Sequence, residues 1–124
     1  MNQEEPITKN NCIMVYAMDI LGGKWRLPIM WKLHQHHVLR YNELRRELVG
    51  ITNIMLTRSL RSLEESGLIS RQDFNENPPR VDYRLTASGK RLIPVLEGIY
   101  RWGHERMVTE ALITDRQLDS ETSS

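Results

Sequence analysis

The stretch ITNIMLTRSLRSLEESGLISRQDFNENPPRVDYRLT, residues 51–86, changes its hydrophobic period once, and that change decides the fold. In its first half Leu56, Leu60 and Leu63 fall on one helical stripe, while Ile54, Arg58, Arg61 and Glu65 lie on the opposite face. Thr52 is placed to cap the N-terminus through its hydroxyl, and Gly67 supplies the positive φ that ends the helix after Ser66. The spacing therefore predicts a helix over 52–66. Residues 68–74 are then short and rich in strand formers, 75–80 are turn chemistry, and Val81, Tyr83 and Leu85 alternate as a half-buried strand does. Helix, hairpin and polar tip are the order of a winged helix-turn-helix, a mainly α fold with a small β-hairpin wing. Such a unit sets a helix of major-groove size beside a cationic hairpin that reaches a neighbouring groove, so double-stranded DNA is the expected partner.

Working back from this stretch, residues 41–48 read as a short helix with Leu44 and Leu48 inward and Arg45 and Arg46 outward, closed by Gly50. It pairs with the 52–66 helix as a tight helix-turn-helix. Residues 38–40 suit a small strand against the wing, and 35–37, Gln-His-His, read as a polar connector. A helix is expected over 24–34, where Pro28 is tolerable only in the first turn, whose amides have no intrahelical acceptor. The first helix spans 13–21 and is apolar on two sides: Met14, Ala17, Met18 and Leu21 make one stripe, and Ile13, Tyr16 and Ile20 a second. A helix of that kind needs two surfaces to bury against, the core and a second subunit. Beyond the wing, Thr86 caps a last helix in which Leu92, Val95, Leu96, Ile99 and Trp102 recur at helical spacing, interrupted by Pro94 and running toward Leu112. So long a helix projects from a small core as a dimer arm, and Ile13, Tyr16, Ile20, Ile99 and Trp102 are the expected interface. Residues 1–11 read as a flexible arm, 12–113 as the one domain and 114–124 as a polar tail.

At 124 residues the chain fits one domain with a real core. Its 17 basic and 16 acidic residues give net +1, but most arginines lie between Arg40 and Arg91, so the near-neutral total conceals a basic middle. One cysteine rules out an internal disulfide framework and agrees with a reducing compartment, which makes the cytoplasm the expected location. No apolar run is long enough to cross a bilayer, so no membrane partner is expected. No Gly-rich phosphate loop, paired-histidine zinc motif or nucleophile elbow is present, and neither an enzyme nor a cofactor is expected. His34, His36 and His37 lack a nearby Cys and the His-x3-His spacing of a helical metal pair, so they read as a surface turn rather than a metal site.

Cys12 before the first helix, Leu21-Gly-Gly-Lys-Trp25, Tyr41-Asn-Glu-Leu-Arg-Arg46, Leu63-Glu-Glu-Ser-Gly-Leu68, Pro78-Pro-Arg-Val-Asp-Tyr83, Leu85-Thr86 and Trp102-Gly103 occur in this order. Together they resemble the HxlR-type, MarR-like winged-helix transcription regulators of bacteria, over roughly residues 12–107. The resemblance implies a homodimer on a pseudo-palindromic operator, held by the first and last helices. It also implies that Cys12 stands where some members carry a thiol sensor of oxidants or electrophiles. Two positions depart from the family pattern: Ile13 follows the cysteine in place of proline, and Ile54 replaces a polar or basic residue.

The expected DNA-contacting residues are Thr52, Asn53, Ile54, Thr57, Arg58, Arg61, Arg80 and Arg45. Arg58 and Arg61 supply cations and forked donors, with Asn53 and Thr57 as short hydrogen-bonders beside them. Ile54 is either a thymine-methyl contact or an exposed aliphatic without a role. Arg80 is expected to probe phosphate or the minor groove, its alternative being to balance Asp82. Cys12 is either an inert small hydrophobe or a redox effector site favoured by the helix N-terminus that follows it. A small-molecule effector between the dimer helices near Trp25 and Trp102 is a further reading. From a different class, a winged-helix protein-interaction module without DNA binding is the alternative that the near-neutral charge and Ile54 support.

Overall fold

The structure is a computed structural model and describes residues 12–110. The elements run α1 (Ile13–Leu21), α2 (Arg26–His36), β1 (Leu39–Arg40), α3 (Tyr41–Glu47), α4 (Asn53–Glu65), β2 (Ile69–Asp73), β3 (Val81–Leu85), α5 (Ala87–Lys90) and α6 (Ile93–Thr109). The arm over 1–11 and the tail over 114–124 lie outside the described residues. This is the winged helix-turn-helix that the period change predicts, with a three-stranded antiparallel sheet ordered β1-β3-β2.

Local chemistry sets the bounds of α4. The Thr52 hydroxyl accepts from the Met55 amide at 3.1 Å, which satisfies one of the first turn's orphan donors. At the other end Gly67 has φ +76°, its amide reaches Glu64 O at 3.0 Å, and the Leu68 amide reaches Leu63 O at 2.9 Å. That pair of bonds is a Schellman ending, and Leu63 and Leu68 are both buried in the core. Leu56, Leu60 and Leu63 then meet Ile29, Met30 and Leu33 of α2 and Leu44 of α3 in one core, which Tyr83 and Ile69 close from the sheet.

Several expectations are corrected. The helix expected over 24–34 begins at Arg26 and continues to His36, so His36 is helical rather than part of a connector. Pro28 does sit in its first turn, where its missing amide costs nothing. His37 ends the helix with φ 70°. The expected long last helix is two. The Thr86 hydroxyl accepts from the Gly89 amide and caps only the four-residue α5, and α6 starts afresh at Ile93 with Pro94 in its first turn. Stacking of Trp31 on Tyr100, centroids 4.9 Å apart, seats α6 against α2.

The close approach at α5 gives a stability prediction. The Thr86 amide donates to Leu68 O at 3.0 Å and its hydroxyl donates to Gly67 O at 2.6 Å, which draws the start of α5 onto the end of α4. A Cβ on Gly89 would collide with the Leu68 carbonyl oxygen and press on Leu85 Cδ2. Gly89→Ala should therefore destabilise the fold by about 1–3 kcal/mol through overpacking, measured by denaturant titration.

Candidate nucleic-acid interface

Alternation around α4 divides its residues cleanly. Leu56, Leu60 and Leu63 are buried, whereas Asn53, Ile54, Thr57, Arg58 and Arg61 are exposed on the other side. Thr52, Asn53, Ile54, Thr57, Arg58 and Arg61 thus share one solvent-facing helix. Ile54 is 64% exposed, so the apolar side chain stands on the surface rather than in the core. Thr52 uses one hydroxyl lone pair for the cap, leaving its proton and a second lone pair.

Sequence reasoning missed the residue that holds this face in place. The Tyr41 hydroxyl, from the first turn of α3, lies 3.0 Å from Asn53 Oδ1 and 3.2 Å from Thr57 Oγ1. It has one proton to give, so it can donate to Asn53 while accepting from Thr57. The contact fixes the orientation of α3 on the exposed side of α4. Arg45 and Arg46 leave α3 into solvent, and with Asn42 they edge a shallow groove.

At the wing Arg80 makes the contact with Asp82 that its alternative reading names. Arg80 Nη2 lies 3.4 Å from Asp82 Oδ2, and its guanidinium covers the Phe74 ring at 4.3 Å from the centroid. Asp82 is also approached by Arg40 and Arg84. Nothing in the sequence around Asp82 signals the contribution of Arg40, which comes from a different strand.

The expected interface residues separate into two groups. Ile13, Met14, Tyr16 and Met18 on α1, and Val95, Ile99 and Trp102 on α6, are exposed apolar side chains. Ile20 instead packs half-buried against the core. Arg26 donates to the carbonyls of Asp19 and Ile20 at 3.1 and 2.8 Å, tying the end of α1 to α2 and satisfying carbonyls left open by helix termination. Cys12 is the exposed N-cap of α1.

Trp25 packs half-buried against the core and Trp102 is exposed. An open groove of about 550 Å³ lies between α2 and α6, lined by Trp31, His34, Gln35, Glu97, Tyr100 and Arg101 among others. His36 pairs with Glu47 at 3.4 Å, and among the described residues no three His, Cys, Asp or Glu side chains group as a metal site. No helix among them is long and apolar enough to cross a membrane.

A family model described as HxlR-like helix-turn-helix matches residues 20–111. An uncharacterized HTH-type transcriptional regulator of Methanothermobacter thermautotrophicus is 45% identical over 92 residues, 74% of this chain and 70% of that protein. The solved structure of a protein assigned to the MarR family of transcriptional regulators, from Porphyromonas gingivalis W83, superposes with a TM-score of 0.74 at 36% identity, covering 80% of this chain and 96% of that one. The redox regulator HypR in its oxidized form gives a TM-score of 0.72 at 35% identity, over 76% of this chain and 96% of its own.

Proposed function

The chain belongs to the HxlR-like helix-turn-helix family of transcriptional regulators, and from that membership we propose that it binds a pseudo-palindromic operator as a homodimer. The observation that carries the proposal is the face of α4. Its inner leucines are fixed in the core and its N-terminus is capped, while Asn53, Thr57, Arg58 and Arg61 stand in solvent on a helix that fits the major groove. Two such helices related by a twofold axis meet half-sites about 34–36 Å apart, or a multiple of that spacing. The protein works where the chromosome is, in the cytoplasm, and does so by binding rather than catalysis. The test is selection of genomic fragments retained by the purified protein, followed by titration of the selected duplex at several salt concentrations. A shared inverted repeat and an affinity that falls linearly in log salt are expected; retention without sequence preference or salt dependence would favour the protein-interaction module.

Cys12 gives this regulator a signal input. The thiol is exposed at the start of an apolar helix in the proposed dimer surface, and HypR, a relative of similar fold, is a redox regulator. Modification there adds bulk and polarity at the subunit contact. Because each chain has one cysteine, a disulfide must join two subunits or capture a small thiol. Treatment with diamide is expected to change operator affinity at least severalfold in the native protein and to leave Cys12→Ser unaffected. Equal responses of the two proteins would make the thiol inert.

A further inference from the structure

The sheet carries a charged cluster of which the DNA-binding reading uses only Arg80. β3 is the central strand, and its alternation turns Val81, Tyr83 and Leu85 to the core and Arg80, Asp82 and Arg84 to the opposite face. On that outer face a carboxylate would ordinarily be solvated, yet Asp82 is only 2% exposed. Arginines cover it. Arg80 reaches it with two nitrogens, Nε to Oδ1 at 3.5 Å and Nη2 to Oδ2 at 3.4 Å. Arg84 Nη2 lies 3.7 Å from Oδ2, and Arg40, register partner of Asp82 across the β1-β3 ladder, brings Nε to 3.8 Å from Oδ1. The guanidinium-bearing side chains themselves stay between 39% and 53% exposed. One buried anion therefore holds three cations at the surface.

The cluster adjoins the surface assigned to DNA. Arg40 is followed by Tyr41, which bonds Asn53 and Thr57 at the start of α4. Arg40 also lines a groove with Asn42, Arg46 and Pro79, between α3 and the tip of the wing.

Resting on the DNA-binding reading, we infer that Asp82 is an internal competitor for DNA phosphate. It occupies Arg40, Arg80 and Arg84 and so holds the sequence-independent affinity of the wing below what three arginines would give. The physical basis is that non-specific affinity scales with the number of phosphates neutralised and counterions released. An arginine already paired with a carboxylate only exchanges one anion for another. A buried carboxylate stripped of its cations is strongly unfavourable, so the cluster cannot surrender all three guanidinium groups together. Discrimination gains from this restraint, because the contacts withheld are those that every DNA sequence offers equally.

The experiment measures affinity for random duplex DNA across a range of salt. Asp82→Asn keeps the side-chain shape and an acceptor oxygen but removes the charge. It is expected to tighten binding at low salt about tenfold and to steepen the slope of log affinity against log salt by roughly one to three per subunit, about 0.9 for each phosphate gained. Adding Arg80→Ala to that variant should take back about one such step. Thermal melts establish that the variants fold. In the otherwise native protein Arg80→Ala should flatten the slope by well under about 0.9, since Asp82 already neutralises that arginine. This second measurement does not depend on the folding of Asp82→Asn. Weaker binding or an unchanged slope in a folded Asp82→Asn protein, or a full step of slope removed by Arg80→Ala, overturns the competitor role and leaves Asp82 an anchor of the sheet. Failure of the native protein to show any salt-dependent DNA binding would remove the DNA reading and this role with it.

Discussion

A protein carrying Ile13→Asp and Ile99→Asp is expected to be monomeric at micromolar concentrations where the unmodified chain is expected to be a dimer. α1 buries none of its residues within the chain, and Ile13 is 81% exposed at its start. α6 runs for 17 residues but buries only Ile93 and Leu96, leaving Val95, Ile99, Trp102, Met107 and Val108 on the surface. Two helices with this much apolar surface exposed within the chain fit the interface of a homodimer. In a twofold dimer each substitution occurs twice, so the double variant places four carboxylates in an apolar contact. Desolvating them without partners should weaken association by at least about a hundredfold, equivalent to about 3 kcal/mol or more. The monomer fold should survive, because both side chains lie in solvent there and such substitutions usually change stability by about 0.5 kcal/mol or less. Ile20 is unsuitable for this purpose, since it packs half-buried on the core and a charge there would damage the monomer as well. Light scattering on both proteins provides the measurement, and an unmodified protein that scatters as a monomer would end the dimer proposal. Operator affinity should fall along with dimerisation, because binding at one half-site no longer raises the effective concentration at the other.

The parts of the fold legible in the sequence are those encoded by neighbours along the chain. Thr52 and Gly67 bracket α4 to within a residue, and the Asn-Pro-Pro turn chemistry separates β2 from β3. The two-sided apolar pattern of α1 gives its bounds but not which side meets the core: Met14 and Met18 are exposed, whereas Ile20 and Leu21 pack half-buried against it. The misplaced boundaries arise where one signal has two readings. Pro94 reads as an interruption of one long helix or as the first turn of a new one, and only packing of α5 against the end of α4 selects the second. His36 and His37 look like a connector, but a non-glycine residue with positive φ ends α2 two positions later than composition suggests. The cluster around Asp82 is least legible. Its Arg80 and Arg84 partners are two residues away, but Arg40 arrives through strand pairing, and the Tyr41 contact with Asn53 and Thr57 likewise depends on how α3 packs against α4.

Replacing Arg58 and Arg61 together with alanine should abolish operator binding while leaving the protein folded. Both side chains project from the solvent face of α4, opposite Leu56, Leu60 and Leu63, and alanine retains the helix preference of arginine. Asp82 holds Arg40, Arg80 and Arg84, but Arg58 and Arg61 have no carboxylate within ion-pair distance among the described residues. Their full charge is therefore available to DNA. The single variants distinguish two modes of recognition. If Arg58 forks onto a guanine, Arg58→Ala should cost about 1–3 kcal/mol per base pair read and relax preference at that base pair, with a dimer suffering the penalty at both half-sites. If Arg61 instead neutralises a phosphate, Arg61→Ala should weaken binding to every sequence alike and flatten the salt slope by about 0.9 per site. Titrations of operator and random duplex over several salt concentrations separate these outcomes, with thermal melts on the same samples to establish folding. If the double variant is folded and keeps both its operator affinity and its salt slope, this face of α4 does not touch DNA. Exposed Ile54 beside those arginines would then mark a protein-binding surface, and the interaction-module reading would replace the regulator that reads DNA through α4.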